Sequence, residues 1–126
     1  MRQKISSGYN YEDEYGYSRA VRVGNQIFMS GTTARGNALD LDAYGQAMDA
    51  MATIEKALTD AGGSLADVVK TVAYLTDMNN IDGLTRAHSE TFDTIRPAST
   101  VLEITGLSPN TALVEIDVFA VVDEPV

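Results

Sequence analysis

Glu115, Tyr17, Ser30 and His88 are the side chains whose types and settings suit chemistry, and each also has a plainer role open to it. Glu115 alternates with Leu113 and Asp117, so on a strand the three share a face, and spacing alone makes Glu115 a solvated or interface carboxylate. Tyr17 follows Gly16 at the entry to an apolar run, where its hydroxyl either caps a sheet edge or reaches a neighbouring cleft. Ser30 precedes Gly31, an ordinary place for a strand-end hydroxyl. His88 lies between Leu84 and Phe92 at helical spacing and reads as a hydrogen-bonded packing residue. Tyr9, Tyr11, Tyr15 and Tyr17 form an aromatic patch, a feature that can stack on single-stranded RNA. Glu12, Asp13 and Glu14 interleave with them, and that acidity favours a cleft wall or subunit contact instead.

Other chemistry is excluded by what the sequence lacks. There is no cysteine, which removes thiol nucleophiles, disulfides and thiolate metal or iron–sulfur ligation. A single histidine rules out a site needing two from one chain. Gly-rich phosphate loops, metal-ligand spacings and a supported Ser-His-Asp arrangement are missing as well. Nine basic against 18 acidic residues leave a net charge of -9, which repels phosphate backbones and anionic lipid. Nucleic acid and membrane partners are therefore not expected. No apolar run approaches the ~18 residues of a membrane span, and Met1 to Ile5 lacks the apolar stretch of a secretory signal. A cytoplasmic protein is expected, with residues 1–126 forming one domain.

These residues need a scaffold, and the periodicities supply one. Ser7 to Gly16 reads as a loop. Arg19 to Val23 and Gln26 to Ser30 are β-rich runs flanking the Gly24-Asn25 turn pair, and Lys4 to Ser6 adds a short first strand. From Asp42 the period changes: Ala47, Met51, Ile54, Leu58 and Ala61 recur at helical spacing, with Asp40 or Asp42 as cap and Gly62-Gly63 as stop. Val68 to Thr76 is a β-branched strand. A second helix carries Ile81, Leu84, His88 and Phe92, capped by Asn79 or Asn80 and ended before Arg96-Pro97. Thr100 to Ile104 and Ala112 to Val122 are further strands, joined through Leu107-Ser108-Pro109-Asn110. The order βββαβαββ predicts an α+β mixed sheet with two helices on one face. The other face, partly apolar, would be buried in an oligomer, with small-molecule clefts between subunits.

Several segments together resemble the YjgF/RidA family: Tyr17-Ser18-Arg19-Ala20, Val23 through Gly31, Gln46 with Val69-Lys70-Thr71-Val72, Arg96 through Thr100, and Val114-Glu115-Ile116-Asp117. The resemblance spans nearly the whole chain in collinear order. It implies a chorismate-mutase-like fold and a homotrimer with three interface clefts. It also implies hydrolysis of reactive imines or enamines such as 2-aminoacrylate to keto acids and ammonia, without metal or organic cofactor. Other members of the family have been assigned ribonuclease activity, translation inhibition or chaperone-like behaviour. By position, Tyr17 and Ser30 match the cleft tyrosine and serine, and Glu115 matches the water-handling glutamate. A glutamate partly removed from water has a raised pKa, which suits proton transfer near neutrality.

One position departs from the pattern. Deaminating members carry an arginine after the Pro-Ala pair that holds the substrate carboxylate; here Ser99 follows Pro97-Ala98. A hydroxyl is a weaker partner for a carboxylate than a guanidinium, and Val101, the next inward position, is apolar. The chain thus resembles branches lacking that arginine. Arg96, three residues from Ser99, faces the other side of a regular strand, whereas Arg86 on the second helix is a candidate replacement anchor. The expected ligand is a small metabolite held by Tyr17, Ser30, Arg86, Ser99 and Val101 beside Glu115. Two roles fit: a deaminase-type hydrolase, or a non-catalytic metabolite-binding trimer. An endoribonuclease is disfavoured by the charge.

Overall fold

The computed structural model describes residues 2–123. Its elements are β1 (Arg2–Ile5), α1 (Asn10–Tyr15), β2 (Ala20–Val23), β3 (Gln26–Met29), β4 (Thr32–Thr33), α2 (Ala43–Asp60), β5 (Val68–Leu75), α3 (Ile81–Phe92), β6 (Ala98–Glu103) and β7 (Val114–Val121). One mixed sheet runs β1-β2-β3-β7-β5-β6, with β4 also pairing β7. Among the described residues only β5 and β6 pair in parallel, joined through α3. The α+β class, the mixed sheet and the one-sided helices match the expectation. The extra elements, α1 and the two-residue β4, do not alter the order of the rest.

The alternation of β7 explains the layering. Val114, Ile116, Val118 and Ala120 are buried against the helices, while Glu115, Asp117 and Phe119 lie on the open face and keep partial exposure. The buried set joins Ile27, Ala73 and Leu75 from neighbouring strands with Ile54 and Leu58 of α2 and Leu84 and Phe92 of α3 in one core. On the open face, Phe28 of β3 meets Phe119 edge to face at 4.8 Å.

The longest helix follows its local signals. The Asp42 carboxylate accepts the Gly45 N–H at 2.9 Å, satisfying one of the free donors at the start of α2. At its end the chain turns through Gly62, whose φ of 83° lies in the left-handed region where glycine has no steric penalty. Arg22, on the helix side of β2, donates to the Ala61 carbonyl at 2.8 Å. Gln46 is buried at the other end. Its amide donates to the carbonyls of Leu39, Leu41 and Thr111 and accepts the Leu113 N–H, tying α2 to the entry of β7.

Two local expectations are corrected. Residues 10–15, read as loop, form a short helix closed by Gly16 at φ 88°, whose N–H donates to the Glu12 carbonyl. This helix buries Glu12 rather than an apolar stripe, so no hydrophobic period announces it. Ahead of α3, a single 3-10 turn (Met78–Asn80) intervenes, and Asp77 caps it by accepting the Asn79 N–H at 2.9 Å. Asn80 precedes α3 without a side-chain capping bond.

Candidate functional site

At the open-face side of the β4–β7 pairing lies a cavity of about 620 Å³. It brings together Tyr17, Ser30 and Glu115, with Tyr9, Tyr11 and Tyr15 of the α1 region as a wall. Local geometry holds each in place. The Tyr17 hydroxyl accepts from Arg19 Nη2 at 2.8 Å, and its ring packs edge-on to Tyr11 and Tyr15. Ser30 Oγ donates to the Ser18 carbonyl at 2.7 Å. Glu115 projects from β7 over Gly31. A Cβ at Gly31 would fall 2.7 Å from Glu115 Cδ and 2.9 Å from Asp117 Oδ1, so two carboxyl groups converge where only glycine fits.

That convergence governs the acid–base character of the site. Burial raises the Glu115 pKa above its ordinary value and the nearby Asp117 charge raises it further, while Arg19 pulls it partly back. Asp117 is likewise raised by burial, against a hydrogen bond from Tyr74 that favours its charged form. The Tyr74 hydroxyl donates to Asp117 Oδ2 at 2.7 Å, and this bond, with burial, pushes the phenol up to about 12.

Behind the tyrosine wall sits a charged cluster that the sequence reading did not single out as a site. Glu12 is almost fully buried and accepts hydrogen bonds from both the hydroxyl and the N–H of Ser7, from Ser6 Oγ and from Arg19 Nε. Burial acts to raise its pKa, but these bonds outweigh burial and hold the carboxyl below its usual value. Arg19, also buried, spends further donors on the Gly31 carbonyl at 2.7 Å and Thr32 Oγ1 at 3.1 Å. Arg35 stacks over the Tyr9 ring at 4.4 Å and lines the same cavity. The available signal was alternation: Thr33 and Arg35, two positions apart beyond Gly31, fall on the Glu115 side of the sheet.

Ser99 and Val101 lie elsewhere. Both face the helix layer and line a smaller pocket of about 250 Å³ with Ile81, Leu84, Thr85 and His88. Thr71 Oγ1 bridges Ser99 Oγ at 2.8 Å and His88 Nε2 at 2.9 Å. Burial lowers the His88 pKa, which keeps the ring neutral near pH 7, and it packs on Phe92 at 4.8 Å. Within one chain, then, Glu115 and Ser99 are on opposite faces of the sheet. Arg86 joins neither group: its guanidinium lies 3.9 Å over the Tyr44 ring and bonds Glu90 on the exposed side of α3. Arg96, at φ 56° beyond α3, bonds Asp93. Among the described residues, no three His, Asp or Glu side chains converge as metal ligands would, and no helix is long and apolar enough to cross a membrane.

Comparison with known proteins adds an independent line. The family model described as Endoribonuclease L-PSP matches residues 11–122. An uncharacterized protein of Streptomyces coelicolor is 33% identical over 94% of this chain and 90% of its own length. A protein of Acinetobacter baylyi named 3-aminoacrylate deaminase RutC is 31% identical over 79% of this chain and 82% of its own length. Among solved structures, a Mycobacterium tuberculosis member of the YjgF family superposes with a TM-score of 0.90 at 41% identity, covering 97% of this chain and all of that one.

Proposed function

Because the chain belongs to the YjgF/RidA family, whose sequence model is described as Endoribonuclease L-PSP, we propose that it binds a small metabolite and hydrolyses its imine or enamine group, in clefts between three copies. The observation that carries this reading is the meeting of Glu115, Tyr17 and Ser30 around one cavity. The separation of Ser99 and Val101 from that cavity fits a cleft shared by two chains. One supplies Glu115, Tyr17 and Ser30; its neighbour supplies Ser99 and Val101.

In this mechanism Glu115, with its raised pKa, takes a proton as the oxygen of a water bonds to the imine carbon. The C=N electron pair moves to nitrogen, and Glu115 returns the proton there to give a carbinolamine. The hydroxyl proton of that adduct follows the same route, the carbonyl forms, and the C–N bond breaks to release ammonia. An enamine enters after a proton is added at carbon and one is lost from nitrogen, which tautomerises it to the imine. Tyr17 and Ser30 orient the substrate, and the Ser99 hydroxyl occupies the place of the family's arginine. The deaminase name of the Acinetobacter relative supports this class of reaction.

A test uses enzymatically generated 2-aminoacrylate, followed by keto-acid formation, with wild type, Ser99→Arg and Glu115→Gln. Keto-acid release above the spontaneous rate by wild type or by Ser99→Arg, lost on Glu115→Gln, supports the reading. Activity confined to Ser99→Arg places the native substrate outside the α-imino acids. Inactivity in both favours the second reading, a metabolite-binding trimer without catalysis, which the Ser99 replacement itself motivates. Ribonuclease activity is disfavoured by the net charge of -9.

A further inference from the structure

We propose that Arg35, supported by Arg19, is the anion anchor of the large cavity, so that its ligand carries a carboxylate even though β6 offers no arginine. This inference rests on the reading that the cavity is the ligand site. Its first ground is the hydrogen-bond inventory. A guanidinium has five N–H donors. Arg35 uses Nη1 on Ser7 Oγ at 2.8 Å, its Nη2 stands 3.8 Å from Glu12, beyond hydrogen-bonding distance, and its Nε is buried without a partner. A buried donor left unsatisfied is destabilising, and in a native protein it calls for an explanation such as a catalytic role, a water or a bound ion.

Charge points the same way. Arg19 and Arg35 share Glu12 as their buried counter-ion, and Ser6, Ser7 and Arg19 already occupy that carboxylate. Burial and the neighbouring Arg19 charge both work against the charge on Arg35. An incoming carboxylate relieves that repulsion and meets the Nη2 arm of the planar guanidinium fork, which has no hydrogen-bond partner among the described residues.

The fork is also held in place. The Arg35 backbone N–H donates to Asp49 on α2 at 3.0 Å, and the stack on Tyr9 sets the plane of the guanidinium. Pre-set orientation reduces the entropy lost when a ligand binds. The tyrosine wall then suits a flat body next to the carboxylate. Unlike Ser99 in the shared cleft proposed above, this anchor comes from the same chain as Glu115. The ligand class is a small planar monoanion.

Calorimetric titration with benzoate and its uncharged analogue benzamide tests the assignment on the full-length protein. Benzoate should bind about tenfold or more tightly than benzamide. Arg35→Gln should abolish that preference, Arg35→Lys should keep part of it, and Arg96→Gln on the exposed surface should leave it unchanged. Equal benzoate affinity in wild type and folded Arg35→Gln overturns the proposal, as does wild type that prefers neither probe. Should Arg35→Gln not fold, the Nε–H resonance of Arg35 in wild type decides: it should shift with benzoate and not with benzamide, and a stationary resonance overturns the anchor. The two proposals fail separately. Arg35-dependent benzoate binding without imine hydrolysis removes the catalytic reading alone, whereas imine hydrolysis with Arg35-independent binding removes the anchor alone.

Discussion

Glu115 and Asp117 make opposite demands on the protein at different pH, and both follow from their place above Gly31. If Glu115 is the base, kcat/KM for imine hydrolysis rises with pH through a midpoint above the ordinary carboxylate range. Asp117→Asn removes a neighbouring charge and should move that midpoint down; a pH profile that stays put would separate the pair from the rate. Stability runs the other way. An acid whose pKa is raised in the fold holds its proton longer there than in the unfolded chain, so stability declines as pH climbs from about 4.3 to the raised value. Thermal melts of Glu115→Gln should show a higher midpoint than wild type at pH 7, with the gap narrowing toward about pH 3. Gly31→Ala pushes a methyl group into both carboxyls. It should lower stability by about 1–3 kcal/mol in urea unfolding and reduce imine hydrolysis further than that loss explains, because Glu115 must shift.

Among the elements, α1 matters most to the site and was the least visible in the sequence. Its helix turns on a buried carboxylate, and six residues without an apolar stripe carry no period to detect. The pair of threonines in β4 is likewise too short for alternation to register. By contrast α2, with its small and aliphatic face and the Asp42 cap, and β7, with its strict in–out alternation, were legible because hydrophobic burial alone specifies them. Tyr17, Ser30 and Glu115 could be picked out, whereas Arg19 and Arg35 depend on a neighbour, Glu12, that only the folded α1 brings within reach. Removing that neighbour should be severe. Glu12→Ala strands two cations at the wall and should cost about 3–5 kcal/mol, read as a drop in the urea midpoint at pH 7. Since the fold holds the Glu12 pKa below its unfolded value, its contribution is present above the ordinary carboxylate pKa and lost as pH falls through the folded one. The mutant and wild-type curves should therefore approach each other in acid.

For the molecule as a whole, the sheet has one finished face and one bare one. Phe28 is 45% exposed on the bare face, and β6 is an edge strand exposed along its length, with Val101 and Leu102 among its residues. Both are surfaces that other copies would cover in the proposed trimer. Phe28→Asp puts a charge at the centre of the first surface. Sedimentation should show it as single chains where wild type is trimeric, and imine hydrolysis should vanish with the trimer if Ser99 arrives from a neighbour. The tyrosine wall has a practical consequence. The chain has no tryptophan and six tyrosines, four of which line the cavity. Its ultraviolet emission therefore originates mostly at the mouth of the site, so the unlabelled protein carries its own optical reporter of occupancy.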